Sequence, residues 1–175
     1  MLYKRIFYLG LALVMISAAL IGCVPQASVV EEPEEIEEIT EVVIGVYEPM
    51  TGAQAAGGVQ TMQGVDLAYA QKNEVLGVPI RMVLVDNRGD KAESATAMTR
   101  LIEQEKAIAV VGSYGSSNSM AGGEVSEAAG IPVMGCSPTN PLVTEGKEYY
   151  FRACFIDPFQ GRVMAKYAFD NGIQK

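Results

Sequence analysis

The feature that most constrains the fold is the regular alternation of strand-like and helix-like segments between residues 42 and 175. The first segment, Val42 to Tyr47, is a continuous apolar run of strand length. Such runs are typical of strands buried on both faces of a parallel sheet. Further strand-length runs follow at residues 80–85, 107–112, 131–134 and 149–152. Because repeated strand–helix units require right-handed crossovers, the order predicts an α/β fold, a Rossmann-like open and mostly parallel sheet with helices on both faces.

Helices are predicted between these runs from apolar periodicity and from residues that favour a helix start. Asp90, with Glu93 three residues later, is typical of an N-cap, because its side chain accepts from the first-turn amides. Residues 117–129 and 158–171 are two further helical segments, the second with a proline in its first turn. The residues predicted on buried helix faces are Met62, Val65 and Tyr69 in the first helix, and Ala95, Met98 and Ile102 in the second.

The start of the chain has the layout of an export signal. Lys4 and Arg5 precede an uncharged apolar run that ends at Leu20-Ile21-Gly22-Cys23. This ending resembles the lipobox of bacterial lipoproteins, in which the cysteine thiol receives a diacylglyceryl group before cleavage. We therefore expect residues 1–22 to be a lipoprotein signal peptide and Cys23 to be lipidated. The alternatives are an uncleaved membrane anchor, which would prefer about 20 apolar residues, and an ordinary secreted cysteine.

An acidic segment follows the expected lipidation site. Seven of the 21 acidic residues of the chain lie between Glu31 and Glu41. A segment of this composition buries too little apolar surface to offset its ordering entropy, and its like charges extend it. Residues 23–41 are therefore predicted to be a disordered tether, with a cation-binding or partner-binding tail as the alternative.

The composition beyond the tether excludes several classes of function. Fourteen acidic residues face 11 basic ones there, and no stripe of Lys and Arg interleaves with aromatic residues, so nucleic-acid binding is not expected. The chain has no histidine, which removes Ser-His-Asp and Cys-His catalysis and His-containing zinc sites. We expect no catalytic residues, metal or cofactor. Cys136 and Cys154 either pair as a disulfide outside the cytoplasm or remain free thiols.

Three loops that follow predicted strands carry the candidate ligand site. They are the first loop, residues 48–58, the second loop, residues 112–119, and the third loop, residues 135–140. Ligands of open α/β sheets bind outside the carboxyl ends of the strands, where these loops are expected. No G-x-G-x-x-G sequence follows the first strand, so a dinucleotide is not expected.

The second loop holds four serines within seven residues and leads into a predicted helix. A helix N-terminus presents unpaired amides and a partial positive charge, and small hydroxyl residues let an anion approach closely. The simpler interpretation is N-capping, which one of these serines is expected to perform. Ser137 and Thr139 of the third loop are expected close to Ser116, so the two loops form a cradle suited to a carboxylate and an adjacent ammonium.

A series of short motifs extends from Val43 to Lys166. The motifs are Ile44-Gly45-Val46, Met50-Thr51-Gly52, Gly64, Val85-Asp86-Asn87, Asp90, Ala92, Val111-Gly112, Ser116-Ser117, Ala129-Gly130-Ile131-Pro132, Ser137-Pro138-Thr139, Phe151-Arg152, Asp157 and Gln160-Gly161. In their order and spacing the chain resembles the extracytoplasmic solute-binding proteins of branched-chain amino acid ABC transporters, of the leucine-binding type. The resemblance implies one lobe of a two-lobed type I periplasmic-binding-protein fold. Residues 42–175 would be the N-terminal ligand-binding lobe, and we expect the chain to be a fragment without the second lobe.

The resemblance also implies roles for individual residues. Ser116, beside Ser117, and Thr139 would bind the α-carboxylate of the ligand through hydroxyls and backbone amides. Ser137 would offer its backbone carbonyl, with the Thr139 hydroxyl, to the α-ammonium. Tyr114 would either add apolar surface facing the ligand or pack at the end of its strand.

The sequence departs from the pattern of these relatives at two positions. They often carry a cysteine at the place of Gly115, as half of a disulfide, and an aromatic residue near Gly57 that packs on the ligand side chain. Neither is present here, so the side-chain preference of the ligand stays open.

The implied activity is capture rather than chemistry. The protein would be the lipid-anchored substrate-binding component of an ABC importer, outside the cytoplasm, that delivers an amino acid, branched-chain by the resemblance, to permease and ATPase subunits. In this family two lobes close over the ligand, so one lobe alone is expected to bind far more weakly. The alternatives are a lipid-anchored sensor of the same fold and, less readily, a hydrolase with an acidic residue or lysine as its base.

Overall fold

In the computed structural model, which describes residues 39–173, six strands form one sheet in the order β2-β3-β1-β4-β5-β6. All neighbouring strands are parallel except the pair β2–β3. The strands are β1 (Val42–Glu48), β2 (Glu74–Val75), β3 (Val78–Asp86), β4 (Ala109–Gly112), β5 (Val133–Gly135) and β6 (Tyr150–Arg152). The expected signal peptide, Cys23 and nearly all of the tether lie outside the described residues.

Four α-helices connect or follow these strands in the described part of the chain. They are α1 (Ala55–Gln71), α2 (Lys91–Glu103), α3 (Ser116–Ala129) and α4 (Asp157–Asp170), with a short 3-10 turn at Pro141–Val143. The predicted α/β fold with a mostly parallel sheet is confirmed. None of the helices in residues 39–173 combines the length and apolar character that crossing a membrane requires.

One element of the sheet was not predicted. The short strand β2 forms a hairpin with β3 through Leu76 and Gly77, and both turn residues have positive φ, 51° and 81°. Two-residue hairpin turns of this kind favour Asn-Gly or Asp-Gly. Because Leu-Gly lacks that signal, the sequence gives little indication of the turn.

The residues of β1 alternate between two helical layers. On one side, a Cβ at Gly45 would lie 3.0 Å from the Leu101 side chain of α2. On the other side, Ile44 lines a cavity together with residues of α1. The sheet therefore carries helices on both faces, as predicted. The buried core on the α2 and α3 side consists of Val43, Tyr47, Ala97, Met98, Leu101, Ala107, Val110, Val133, Val143 and Tyr150.

The start of α2 is capped as the sequence predicts. Asp90 has extended backbone, and its carboxylate accepts from the amides of Ala92 at 2.8 Å and Glu93 at 3.0 Å. The predicted buried face is only partly correct. Met98 is buried, but Ala97 and Leu101 are its fully buried neighbours, whereas Ala95 and Ile102 are half-buried.

Removing this cap should measurably weaken the domain. Asp90→Ala is expected to lower the free energy of unfolding by about 1 kcal/mol, since two first-turn amides lose their acceptor. Asp90→Asn should retain most of the stability. Urea denaturation of the purified protein measures the difference. Asp66→Ala, at an exposed position inside α1, is the control, and equal losses in Asp90→Ala and Asp66→Ala would contradict the assignment of the cap.

Candidate functional site

The second and third loops meet at the carboxyl edge of the sheet. The Asn140 amide donates to the Ser116 hydroxyl at 3.2 Å. The Ser137 hydroxyl lies 3.5 Å from the Tyr114 carbonyl oxygen, at the long limit for a hydrogen bond. The structure therefore brings together the two loops that carry the predicted ligand residues.

Side-chain amides connect the second loop to the first loop and to the end of β3. Asn118 of α3 donates to the Gln54 side-chain oxygen at 3.1 Å. Asn87, directly after β3, is buried and donates to the Ser113 hydroxyl at 2.8 Å. These two bonds connect the second loop to the first loop and to the end of β3.

The four serines of the second loop have two different roles. Ser113 and Ser119 are buried and bonded to each other: the Ser119 hydroxyl donates to the Ser113 carbonyl at 2.9 Å and accepts from the Ser113 amide at 3.3 Å. Ser116 and Ser117 are half-buried at the first two positions of α3. Two of the four serines are thus structural, and only Ser116 and Ser117 lie at the predicted ligand site.

The prediction that a serine caps this helix is wrong. The N-cap is Gly115, and within the described residues no side chain caps the first turn of α3. Gly115 has no side chain that could accept a hydrogen bond, and the Gln54 side-chain oxygen lies 2.6 Å from the place that a Cβ there would take. The amides of the first turn therefore receive no acceptor from the N-cap side chain, and they remain available to an anion.

The third loop is held by a single arginine of β6. The Arg152 guanidinium donates to the carbonyl oxygens of Pro138 at 3.1 Å, Asn140 at 2.8 Å and Pro141 at 2.8 Å, and to the Thr144 hydroxyl. A planar fork of five donors suits this set of acceptors. The role of Arg152 could not be predicted from the sequence, because its partners come close only in the fold and follow no recognisable spacing along the chain.

The position of Thr139 follows from the same scaffold. Its carbonyl oxygen accepts from the Asp157 amide at 3.0 Å, which ties the third loop to the start of α4. Ser137 and Thr139 are both half-buried. Their hydroxyls thus lie on the loop that Arg152 fixes, next to the N-terminus of α3.

The first loop is held by the carboxylate of Asp86. Its oxygens accept from the Thr51 hydroxyl at 2.7 Å and from the amides of Met50 at 2.9 Å and Arg88 at 2.8 Å. Partial burial acts to raise the pKa of Asp86, but the hydrogen bonds from Thr51, Arg88 and Met50 outweigh it and lower the pKa. Asp86 is therefore ionised at neutral pH and serves the shape of the loop.

Tyr114 packs across the loops instead of pointing freely outwards. A Cβ at Gly57 would collide with its ring, so the glycine at the start of α1 makes room for the tyrosine. The Tyr114 side chain nevertheless remains 39% exposed. Both expected roles are therefore compatible with its position, and the aromatic surface beside Gly57 comes from the second loop.

Glu48 is the site residue whose environment the sequence did not predict. It ends β1 and is fully buried, and the Tyr114 amide donates to its Oε2 at 2.8 Å. Burial raises the pKa of Glu48 to about 8, and the hydrogen bond from Tyr114 opposes the shift only in part. A glutamate at the end of an apolar strand is usually expected to be solvated, so the sequence does not predict its burial.

A cavity of about 610 Å³ lies between α1 and the sheet, away from the serines of the second loop. It is lined mainly by apolar side chains, and its polar lining residues, Gln60, Thr61, Tyr69 and Lys72, include no helix N-terminus. The lining residues are Ile44, Gln60, Thr61, Gly64, Val65, Ala68, Tyr69, Lys72, Ile80, Met82, Val111 and Cys136. The cluster of donors at the loops is therefore the better candidate site.

The two cysteines of the described region are free thiols. Cys154 donates to the Pro138 carbonyl at 3.4 Å, and burial, followed by the charges of Glu48 and Cys154, raises the pKa of Cys136. Residues 39–173 contain no cluster of three cysteine, aspartate or glutamate side chains suited to a metal ion. The chemistry that the loops offer is recognition of an anion by hydroxyls and amides, with one buried carboxyl group beside it.

Comparisons with known proteins identify the family of the chain. The profile of the periplasmic binding protein family matches residues 41–175. An amino acid binding protein of Pseudomonas aeruginosa is 38% identical over 133 residues, which are 74% of this chain and 36% of that protein.

Two solved structures share the fold of the chain. The leucine-binding protein LivK of Thermotoga maritima is 42% identical with a TM-score of 0.72, over 74% of this chain and 37% of that one. LivJ of Streptococcus pneumoniae, a branched-chain amino acid transporter substrate-binding protein in complex with isoleucine, is 32% identical with a TM-score of 0.69, over 73% and 38%. The chain thus spans little more than a third of the length of these relatives. It belongs to the periplasmic binding protein family.

Proposed function

We propose that this chain is the ligand-binding lobe of a substrate-binding component of an ABC importer, and that its ligand is an amino acid, most simply a branched-chain one. The observation that carries the proposal is the convergence of the second and third loops at the uncapped N-terminus of α3. Ser116, Ser117 and Thr139 would bind the ligand carboxylate there. The Ser137 carbonyl would accept from the ligand ammonium, and Tyr114 would contact the ligand side chain.

The class of ligand is supported by the relatives and by the chemistry of the loops. LivK is named a leucine-binding protein, and LivJ contains isoleucine. A helix N-terminus without a capping side chain, lined by hydroxyl groups, is suited to a carboxylate. The free α-carboxylate that all amino acids share would therefore bind at Ser116, while the side chain of the ligand would extend towards Tyr114.

The proposal extends to the location and partners of the protein. Membership of the family implies an extracytoplasmic location. Residues 1–22 would be the signal peptide, Cys23 would carry the lipid, and residues 23–41 would tether the lobe, residues 42–175, to the membrane. Permease and ATPase subunits of the importer would be its partners. A second lobe would close over the ligand, since the relatives are much longer than this chain.

The proposal is tested by calorimetry on the full-length protein with a panel of amino acids. We expect Ser116→Ala and Thr139→Ala each to weaken the binding of leucine about tenfold, because each loses one charge-assisted hydrogen bond. Thr96→Ala, at an exposed position on α2, is the matched control and should bind as the wild type does.

Two results would contradict the proposal. One is a failure of the wild-type protein to bind any amino acid of the panel, with normal folding by circular dichroism. The other is unchanged affinity in both loop variants. Hydrolysis of amide or ester analogues, measured in the same samples, would instead favour an enzyme.

A further inference from the structure

Glu48 has one oxygen atom that the contacts described above do not use. Its Oε2 accepts from the Tyr114 amide at 2.8 Å. Its Oε1 is buried without a hydrogen-bond partner, and among residues 39–173 it is the only buried side-chain oxygen or nitrogen in that state. An unpartnered buried polar atom costs about 1–3 kcal/mol. A donor that arrives with the ligand at the neighbouring loop would remove this cost.

The neighbours of Glu48 do not supply that donor. The Tyr150 hydroxyl donates to the Gly112 carbonyl at 2.6 Å and lies 2.8 Å from the Tyr47 hydroxyl, so the two phenols are bonded to each other and Tyr150 also to the backbone. Asp86, the partner of Glu48 in the register of β1 and β3, is an acceptor. Within residues 39–173, no lysine or arginine forms an ion pair with Glu48.

The location of Glu48 connects it to the proposed ligand site. Through the Tyr114 amide it contacts the second loop two residues before Ser116, the first residue of α3. The charge of Glu48 also acts on the Cys136 thiol, which neighbours Ser137 in the third loop. The free oxygen is therefore near both loops that carry the hydroxyl groups. An acceptor at this position complements the donors of Ser116 and Thr139.

We propose that Glu48 is a further ligand-binding residue of this site: Oε2 fixes the backbone of Tyr114, and Oε1 accepts a hydrogen bond from a cationic nitrogen of the ligand. The inference rests on the proposed function and narrows it. Ligands with an ammonium group near their carboxylate satisfy both the hydroxyl loops and Glu48. Simple carboxylates satisfy the loops alone and leave Oε1 buried without a partner.

Contact between Glu48 and a ligand ammonium would make the affinity for the ligand depend on pH. Glu48 is the group here that changes charge near pH 8. The pKa of Asp86 is lowered, and those of Cys136, Tyr47 and Tyr150 are raised, so none of these four titrates between about pH 6 and 8. Because an ammonium pairs with the carboxylate form, its binding expels the Glu48 proton below pH 8. The affinity should then rise up to about tenfold per pH unit towards pH 8 and level off above it.

The test compares two ligands of the same carbon skeleton in the full-length protein. L-Leucine carries the ammonium, and 4-methylpentanoate is the same molecule without it. Calorimetry between about pH 6 and 8.5 measures both ligands against the wild type, Glu48→Gln and the control Glu74→Gln, which lies at an exposed position of β2. We expect leucine affinity to rise with pH in the wild type and in the control. In Glu48→Gln it should be at least about tenfold lower at pH 8 and independent of pH.

The other outcomes contradict either the inference alone or the proposed function and the inference together. If the wild type binds leucine but Glu48→Gln binds it equally well, the inference fails and the proposed function stands. The inference also fails if leucine affinity is flat with pH in the wild type, or if 4-methylpentanoate shows the same rise. Absence of leucine binding by the folded wild type at every pH overturns the proposed function and the inference together. Should Glu48→Gln not fold, the two-ligand comparison in the wild type decides alone.

Discussion

Arg152→Lys is expected to lower the free energy of unfolding by about 2–3 kcal/mol, although the substitution keeps the charge. The guanidinium donates to three carbonyl oxygens of residues 138–141 and to the Thr144 hydroxyl. A lysine ammonium has three donors on a single nitrogen and cannot reach acceptors arranged around a planar fork. At least two of these half-buried acceptors therefore lose a charged partner. Urea denaturation of the purified protein gives the difference.

The same substitution should also weaken the ligand site. The third loop carries Ser137 and Thr139, and Arg152 holds its backbone, so loosening the loop should raise the Kd for leucine about tenfold if the loop binds the carboxylate. Arg162→Lys, at an exposed position of α4, is the matched control and should change neither quantity. A loss of stability in Arg152→Lys that equals the loss in Arg162→Lys would contradict the role of Arg152 as the residue that fixes this loop.

The fold was predictable from the sequence because strands buried in a parallel sheet are nearly continuous runs of apolar residues. The apolar run at 42–47 was predicted to be a buried strand, and it forms most of β1, one of the two central strands of the sheet. The Asp90 cap was also predictable, since its hydrogen bonds join residues that are close in the sequence. The β2–β3 hairpin could not be predicted, because Leu76 occupies a position with positive φ, where Asn, Asp or Gly is expected.

The site was predictable where it depends on local chemistry, and it was not where it depends on contacts through space. Ser116 and the third loop were placed correctly beside each other, because both follow neighbouring parallel strands. The cap of α3 was assigned wrongly, since the helix begins at Ser116 and its N-cap is Gly115, which has no side chain to accept from the first turn. Glu48 could not be recognised as buried, because Tyr114 of a distant loop packs close to it.

The stability of the protein should fall as the pH rises through the neutral range, and Glu48 should be responsible. In the unfolded chain its pKa is near the usual value of 4.5, whereas in the folded protein burial raises it to about 8. Below pH 4.5 both states hold the proton, and the favourable contribution of the neutral carboxyl group is fully present. Between these values the unfolded chain releases the proton and the folded protein keeps it. The stability therefore decreases by up to about 1.4 kcal/mol per pH unit.

Above about pH 8 both states are ionised, so the loss is complete and the curve becomes flat again. Glu48→Gln retains the shape of the side chain but has no proton to release, and its stability should lack this slope. Other groups titrate as well, so the informative quantity is the difference between the wild type and Glu48→Gln, measured by urea denaturation between about pH 4 and 9 without ligand. Glu74→Gln, at an exposed position, should follow the wild-type curve.

A difference between wild type and Glu48→Gln that stays constant from pH 4.5 to 8 would show that the folded protein already accommodates the charge of Glu48. The expected slope instead implies that ionisation of Glu48 lowers the free energy of unfolding. A carboxylate that is buried without a cation destabilises the folded state until a positive charge arrives. Adding leucine at pH 8 should then restore more stability to the wild type than to Glu48→Gln. The ammonium of the ligand would supply the missing partner, so the group that destabilises the empty lobe would also strengthen its hold on the ligand.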